Sequence, residues 1–298
     1  MISSKTRIFF LILFLTVITF PLQAEKISLK FSFNQNSVPR GNLNEWIDSY
    51  NLLWKDWAQL KGGTLKGQFK PLDFGSNIEI GLQIPIFPGF ALNISGSQFA
   101  SKDKGKIKFA TETATQVENH FIRNEIIALP FKVGFSYSFP MPFLPDLSVY
   151  GNIGRHIIFV QYKSKENYDS FFSFMGRDFY YWYKKENTYR SESLGYYASL
   201  GAEYTLFKYI ALIVEGEKVW SKTDGFKGAY TYEDYSGKRE SGKASMYFYE
   251  SNEWPLDNYY YVLSGQKERP ENEEVRNVRQ GEINFGGFVF KIGIKFKF

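Results

Sequence analysis

Apolar residues recur at every second position over much of this chain. Near its end Phe288, Phe290, Ile292, Ile294, Phe296 and Phe298 alternate with Val289, Lys291, Gly293, Lys295 and Lys297. Side chains alternate faces along a β-strand, so this stretch predicts a strand with one apolar face and one cationic or small face. The same period predicts strands at 27–33, 78–86, 90–94, 129–139, 147–159, 194–206 and 210–214. With the terminal segment, that makes eight.

The links between these strands alternate in length. Those at 85–89, 140–146 and 207–208 are short; those at 34–73, 100–123, 161–192 and 223–281 are long. An even strand count with short turns at one end and long loops at the other is the signature of a transmembrane barrel. Links of that length count against an ordinary soluble domain. A soluble lipocalin-like barrel would turn the apolar face inward. Here the other face carries Gly and Ser with isolated Lys and Glu, which suits a narrow interior, while Phe and Tyr gather near strand ends like interfacial girdles. The expectation is a single all-β domain: an eight-stranded antiparallel transmembrane β-barrel with long extracellular loops.

Residues 42–61 break the strand period. Leu43, Trp46, Ile47, Tyr50, Leu53, Trp54, Trp57 and Leu60 fall on one helical face. Asn42 with Glu45 resembles a capping box, and Gly62-Gly63 is a stop signal. An amphipathic helix is therefore expected in the first outer loop. Its aromatic face, with Trp46, Tyr50, Trp54 and Trp57, suits a lid or plug over the barrel mouth, an anchor in the membrane interface, or a support packed among the loops.

Lys5 and Arg7 precede an apolar run at 8–20, broken by Pro21 and followed by Leu22-Gln23-Ala24. This reads as a secretory signal peptide over 1–24, cleaved after Ala24, with the barrel over 25–298. Cysteine is absent and there are two histidines. A disulfide scaffold, a thiolate metal site, a lipid anchor on cysteine and a histidine-rich metal centre are thereby excluded. The formal charge is +5, but no concentrated basic stripe points to nucleic acid. No cofactor motif is present, and no EF-hand, P-loop, GxSxG or HExxH pattern.

The last eight residues carry a resemblance. Lys291, Gly293, Phe296 and Phe298 occupy the polar, glycine, aromatic and terminal aromatic positions of a signal similar to the C-terminal assembly signal of bacterial outer-membrane proteins. Over most of its length the chain resembles, in architecture, the small eight-stranded outer-membrane barrels of the OmpA/OmpX/OmpW kind, with no motif that selects one subfamily. That resemblance implies a location in the bacterial outer membrane, contact with its lipid and insertion by its assembly machinery. The fold does not supply a function.

Lumen-facing charges are expected at Lys30, Glu79, Lys132, Glu203, Glu215, Glu217, Lys291, Lys295 and Lys297. They suit an ion-pair network that fills a narrow barrel, or a gated conduit. His156 is expected on the inner face of the fifth strand and His120 at the end of the second long loop; neither shows a catalytic partner set in the sequence. Arg155 falls on the apolar face, either near the outer rim or displaced by a bulge at Gly154. The long links at 161–192 and 223–281 are rich in Phe and Tyr, which suits a β-rich extracellular extension or a recognition face for an unknown extracellular ligand. The functional expectation is a non-enzymatic structural or surface-binding protein. A narrow channel for ions or small solutes is the alternative, and an envelope-lipid-modifying enzyme the third.

Overall fold

The structure is a computed structural model that describes residues 27–37, 41–71, 76–111, 115–252 and 258–298. The expected signal peptide lies outside the described residues. In chain order the elements are β1 (Ser28–Ser37), α1 (Asn42–Leu60), β2 (Gly63–Gln68), β3 (Ser76–Phe87), β4 (Phe90–Thr111), β5 (Gln116–Met141), β6 (Leu144–Phe174), β7 (Arg177–Phe207) and β8 (Ile210–Trp220). Then come β9 (Lys222–Thr223), β10 (Lys227–Asp234), β11 (Arg239–Ser251), β12 (Tyr260–Gln266), β13 (Val275–Gln280), β14 (Ile283–Asn284) and β15 (Gly287–Lys297).

Eight of these strands close on themselves. The antiparallel order β1-β3-β4-β5-β6-β7-β8-β15 returns to β1, where Ser32 faces Gly293 and Phe31 faces Ile294. Closure leaves this ring no edge strand. The short connections are two-residue turns at 88–89, 142–143 and 208–209. Gly89 takes a φ of 77°, a left-handed conformation that glycine adopts without steric cost.

The alternation assigns the faces. Ile78, Ile153, Leu200 and Phe288 stand 63, 67, 72 and 67 % exposed, while Glu79, Ser32, Ser199 and Lys291 between such residues are buried. An apolar belt of this extent left bare on a closed barrel, with charge inside, is stable only against hydrocarbon. Aromatic rings collect at the turn end, where Phe90 stacks between Phe87 and Phe135 at 4.6 and 5.4 Å. The fold is a transmembrane β-barrel, with the short turns gathered at one end and the long strands running out at the other.

The long links are not loops in the main. β6 and β7 are each 31 residues, and β4 and β5 are 22 and 26, well beyond the ~10 residues that cross a bilayer. Above the belt the polarity of the faces inverts. On β5 the inward positions change from Lys132 and Ser136 to Ala128, Ile126 and Ile122; on β6 they change from Asn152 and His156 to Ile158, Val160 and Tyr162. The upper sheet thus buries an apolar inner face, and β10, β11 and β12 widen it by pairing onward from β7.

The helix fills that inner face. Leu43, Trp46, Ile47, Trp54 and Ala58 join Phe69, Ile107, Phe109, Ile122, Ile126, Val160, Tyr189, Phe226 and Phe248 in one core. Asn51 clasps the backbone of Phe69 through two hydrogen bonds, Nδ2 to the carbonyl at 2.8 Å and the amide to Oδ1 at 2.9 Å. Phe69 lies so close over Gly105 that a Cβ there would sit 2.2 Å from its ring. The Tyr260 hydroxyl donates to Asp56 and the Tyr261 amide to Ser49 Oγ. The helix therefore does not lie on the membrane surface: its Trp face is spent on the core. Two details depart from the sequence expectation. Gly41, not Asn42, is the N-cap, and Asn42 bonds Glu45 from inside the first turn. Leu60 is exposed, beyond the reach of the sheet. The stop is as expected, with Gly62 at φ 60°.

Candidate functional site

The lumen brings together all nine charges that alternation had turned inward. Lys132 Nζ meets Glu79 at 2.8 Å and Glu217 at 2.5 Å. Lys291 Nζ meets Glu217 at 2.7 Å, Glu79 at 3.0 Å and Glu215 at 3.1 Å. Lys30 closes the set on Glu215, which also accepts from the Tyr150 hydroxyl at 3.0 Å. Nearer the short turns Glu203 holds Lys295 and Lys297 at 2.7 and 2.6 Å. Burying a lone charge costs several kcal/mol, so each survives here only through its partners. These residues come from β1, β3, β5, β7, β8 and β15, so the network ties together strands on opposite sides of the ring.

The layer formed by Glu79, Lys132 and Glu217 separates two small cavities. The lower, about 50 Å³, is lined by Gln83, Asn93, Tyr150 and Glu203; the upper, about 40 Å³, by Asn34, Asn77, His156, Phe99 and Phe285. Both ring nitrogens of His156 are buried there without a protein partner. Above the upper cavity the helix core begins. The lumen is thus filled by paired charges and, above them, by packed apolar side chains.

His120 lies inside the outer core, with no exposed surface. Its Nδ1 is 3.0 Å from the Tyr50 hydroxyl and its Nε2 is 2.9 Å from Glu166. No partner set for it is visible along the chain; the long β5–β6 pairing and the helix supply one. Tyr50, Trp54, Phe69, Tyr168 and Tyr183 surround the ring with centroids 5.4–6.5 Å away. The Tyr183 hydroxyl donates to Glu166 at 2.6 Å and the Tyr168 hydroxyl to Glu118 at 3.0 Å. Burial alone would raise the Glu166 pKa, but the bond and charge of His120, then Lys185 and Tyr183, outweigh it and hold the carboxyl down at about 2. Burial and the Glu166 charge push the Tyr50 and Tyr183 hydroxyls well above the ordinary phenol range. The cluster latches the helix onto the sheet, with the His120 ring at its centre cut off from solvent.

Arg155 faces outward with no bulge beside it, since Gly134 pairs Gly154 and Gly154 pairs Tyr197 in unbroken register. Its guanidinium stacks on the Tyr196 ring at 4.1 Å, in the row that ends at Trp220, the last residue of β8. It stands two outward positions below Phe159, the residue at which the outward apolar series of this strand ends. In the terminal strand Lys291 joins the ion layer, Gly293 faces the lumen, and Phe296 and Phe298 lie on the outward side near the short turns. A Cβ on Gly293 would fall 2.2 Å from the Phe31 carbonyl oxygen, so the β1–β15 seam itself requires glycine there.

The aromatic links divide between two roles. Tyr168, Tyr183 and Tyr232 stack in series within the extension. At the β6–β7 tip Phe174, Met175 and Tyr180 stay exposed, and Phe172 stacks on Phe179 at 4.9 Å.

No family model matches the chain, and neither does any curated protein. Among solved structures it is similar to the outer membrane protein OprG from Pseudomonas aeruginosa, at 10 % identity and a TM-score of 0.42, covering 92 % of this chain and 96 % of that one. It is also similar to the outer membrane protease OmpT from Escherichia coli, at 10 % identity and a TM-score of 0.24, covering 92 % and 94 %. Neither likeness transfers a residue role; the architecture stands on the closed ring, the bare belt and the charged lumen.

Proposed function

We propose that this protein is a non-enzymatic surface-binding barrel whose membrane part is a closed pedestal for its extracellular sheet. The observation that carries this reading is a lumen filled by paired charges and packed apolar side chains beneath an extension that ends in bare aromatic side chains. A passive pore has no use for a neutralised Lys–Glu layer topped by a Trp-rich core. An enzyme needs an accessible reacting group, and His120 is wholly buried. The tip, by contrast, presents Phe174, Met175 and Tyr180 to the medium, the residue types that dominate binding surfaces. The terminal strand, with Lys291, Gly293, Phe296 and Phe298, serves in addition as the segment taken up by the assembly machinery.

Planar-bilayer recording on the purified full chain tests this: no unitary conductance is expected. Steady steps abolished by a change at Glu217 or Lys132 would favour the narrow channel, to which the two cavities flanking the ion layer would then belong. A triple change Phe174→Ser, Met175→Ser, Tyr180→Ser should leave thermal unfolding unchanged and remove binding of an apolar fluorescent probe to the protein in nanodiscs. Undiminished probe binding would refute the tip as the binding surface.

A further inference from the structure

We infer that the outward face just above the hydrocarbon belt, on β4, β5 and β6, is a binding site for the phosphorylated head group of an outer-leaflet lipid. On these strands the outward apolar series ends at Ala100, Ile127 and Phe159. The next outward charges are Lys102 and Lys104 on β4, Glu125 and Arg123 on β5, and Lys163 and Lys165 on β6. Register sets them in two rows: Lys104 faces Arg123, which faces Lys165, and Lys102 faces Glu125, which faces Lys163. Neighbouring strands lie ~4.8 Å apart and outward residues on one strand ~7 Å apart, so five cations and one carboxylate occupy a patch of roughly 10 by 7 Å.

The first row is three like charges directly opposite one another, an arrangement that weakens a sheet by itself. Carboxylates do not cancel it. Glu125 stands 3.8 Å from both Lys102 and Arg123, and Glu186 takes Lys165 alone at 2.6 Å. Lys104 and Lys163 have no carboxylate within ion-pair distance among the described residues. An anion with several oxygens, set between the rows, would turn this repulsion into charge-assisted hydrogen bonds. The patch faces sideways, away from the barrel axis, at the level where hydrocarbon gives way to head groups. Its natural ligand is therefore a lipid phosphate reached laterally within the leaflet, not a solute arriving from above.

The full chain in detergent is incubated with bis-phosphorylated lipid A, phosphatidic acid or phosphatidylcholine, washed, and read by native mass spectrometry. Lipid A and phosphatidic acid should stay bound and phosphatidylcholine should not. The triple change Lys104→Gln, Arg123→Gln, Lys165→Gln should lower lipid A retention at least tenfold. Without lipid it should melt at or above the wild-type temperature, because the repulsive row is gone. Equal retention by the triple variant, equal retention of phosphatidylcholine, or complete displacement of lipid A by millimolar pyrophosphate would overturn the proposal; the last would make free phosphate the ligand.

Discussion

Replacing Lys291 by methionine isolates the electrostatic work of the lumen. Methionine keeps the length and apolar stem of lysine and removes only the ammonium. In the folded protein that ammonium touches Glu217, Glu79 and Glu215 at 2.7, 3.0 and 3.1 Å, and its side chain is 2 % exposed. Without it, three buried carboxylates share two ammoniums, Lys132 and Lys30, and one negative charge is left uncompensated. Breaking a buried pair in this way costs about 3–5 kcal/mol, and the three-way contact places the variant at the upper end. The double change Lys291→Met, Glu217→Gln removes a cation and an anion together, leaving two carboxylates for two ammoniums. Its cost should return to within about 2 kcal/mol of wild type, well below the sum of the two single changes in the double-mutant cycle. Urea unfolding in detergent micelles, followed by heat-dependent gel mobility and tryptophan fluorescence, measures each corner. A single variant within about 1 kcal/mol of wild type, or a double variant as unstable as the sum of the two singles, would refute the account of a neutralised, mutually dependent layer.

Other outcomes follow from the upper core and the seam. Glu166, held at about 2 against an ordinary 4.5, stabilises the folded state above pH 4.5 by up to ~3 kcal/mol before solvent screening, and loses that contribution as pH falls toward 2. Glu166→Gln should flatten this acid limb in near-ultraviolet circular dichroism; an unchanged limb would remove Glu166 as its source. Trp54→Ala should cost about 3–5 kcal/mol of outer-core stability, read as faster proteolysis of the helix with gel mobility of the barrel unchanged. Gly293→Val, by driving a side chain into the Phe31 carbonyl, should lower the yield of folded barrel, whereas the outward change Ile292→Val should not.

The barrel was legible because each membrane strand meets lipid on one side. Ile78, Ile80 and Ile84 could alternate with Asn77, Glu79 and Gln83 only if the two faces met different media, and the turns at 88–89, 142–143 and 208–209 punctuate the pattern with proline or a lysine-tyrosine pair. The extension was less legible. Around 126–131 the residues Ile, Ile, Ala, Leu, Pro and Phe are apolar on both faces, so the period fades where the lumen filling passes from charge to hydrocarbon. Past that point alternation resumes with its polarity exchanged, as in the inward Ile107 and Phe109 against the outward Lys106 and Lys108. That exchange was the available signal for an inward-packed helix. The partners of His120 had no local signal: Tyr50 and Glu166 lie 70 and 46 residues away and meet it only through tertiary packing.

The exchange of polarity along single strands also sets the depth at which the molecule floats. Sliding it inward by one outward position, two residues, would bring Lys102 and Lys163 toward the hydrocarbon, at a depth-dependent cost reaching about 2–4 kcal/mol per cation at the midplane. Sliding it outward would strip Phe159 and Leu194 of their lipid. No soluble partner is needed to hold the height of the hairpin tip; the strands carry their own waterline, and whatever the tip meets is met at a fixed distance from the cell.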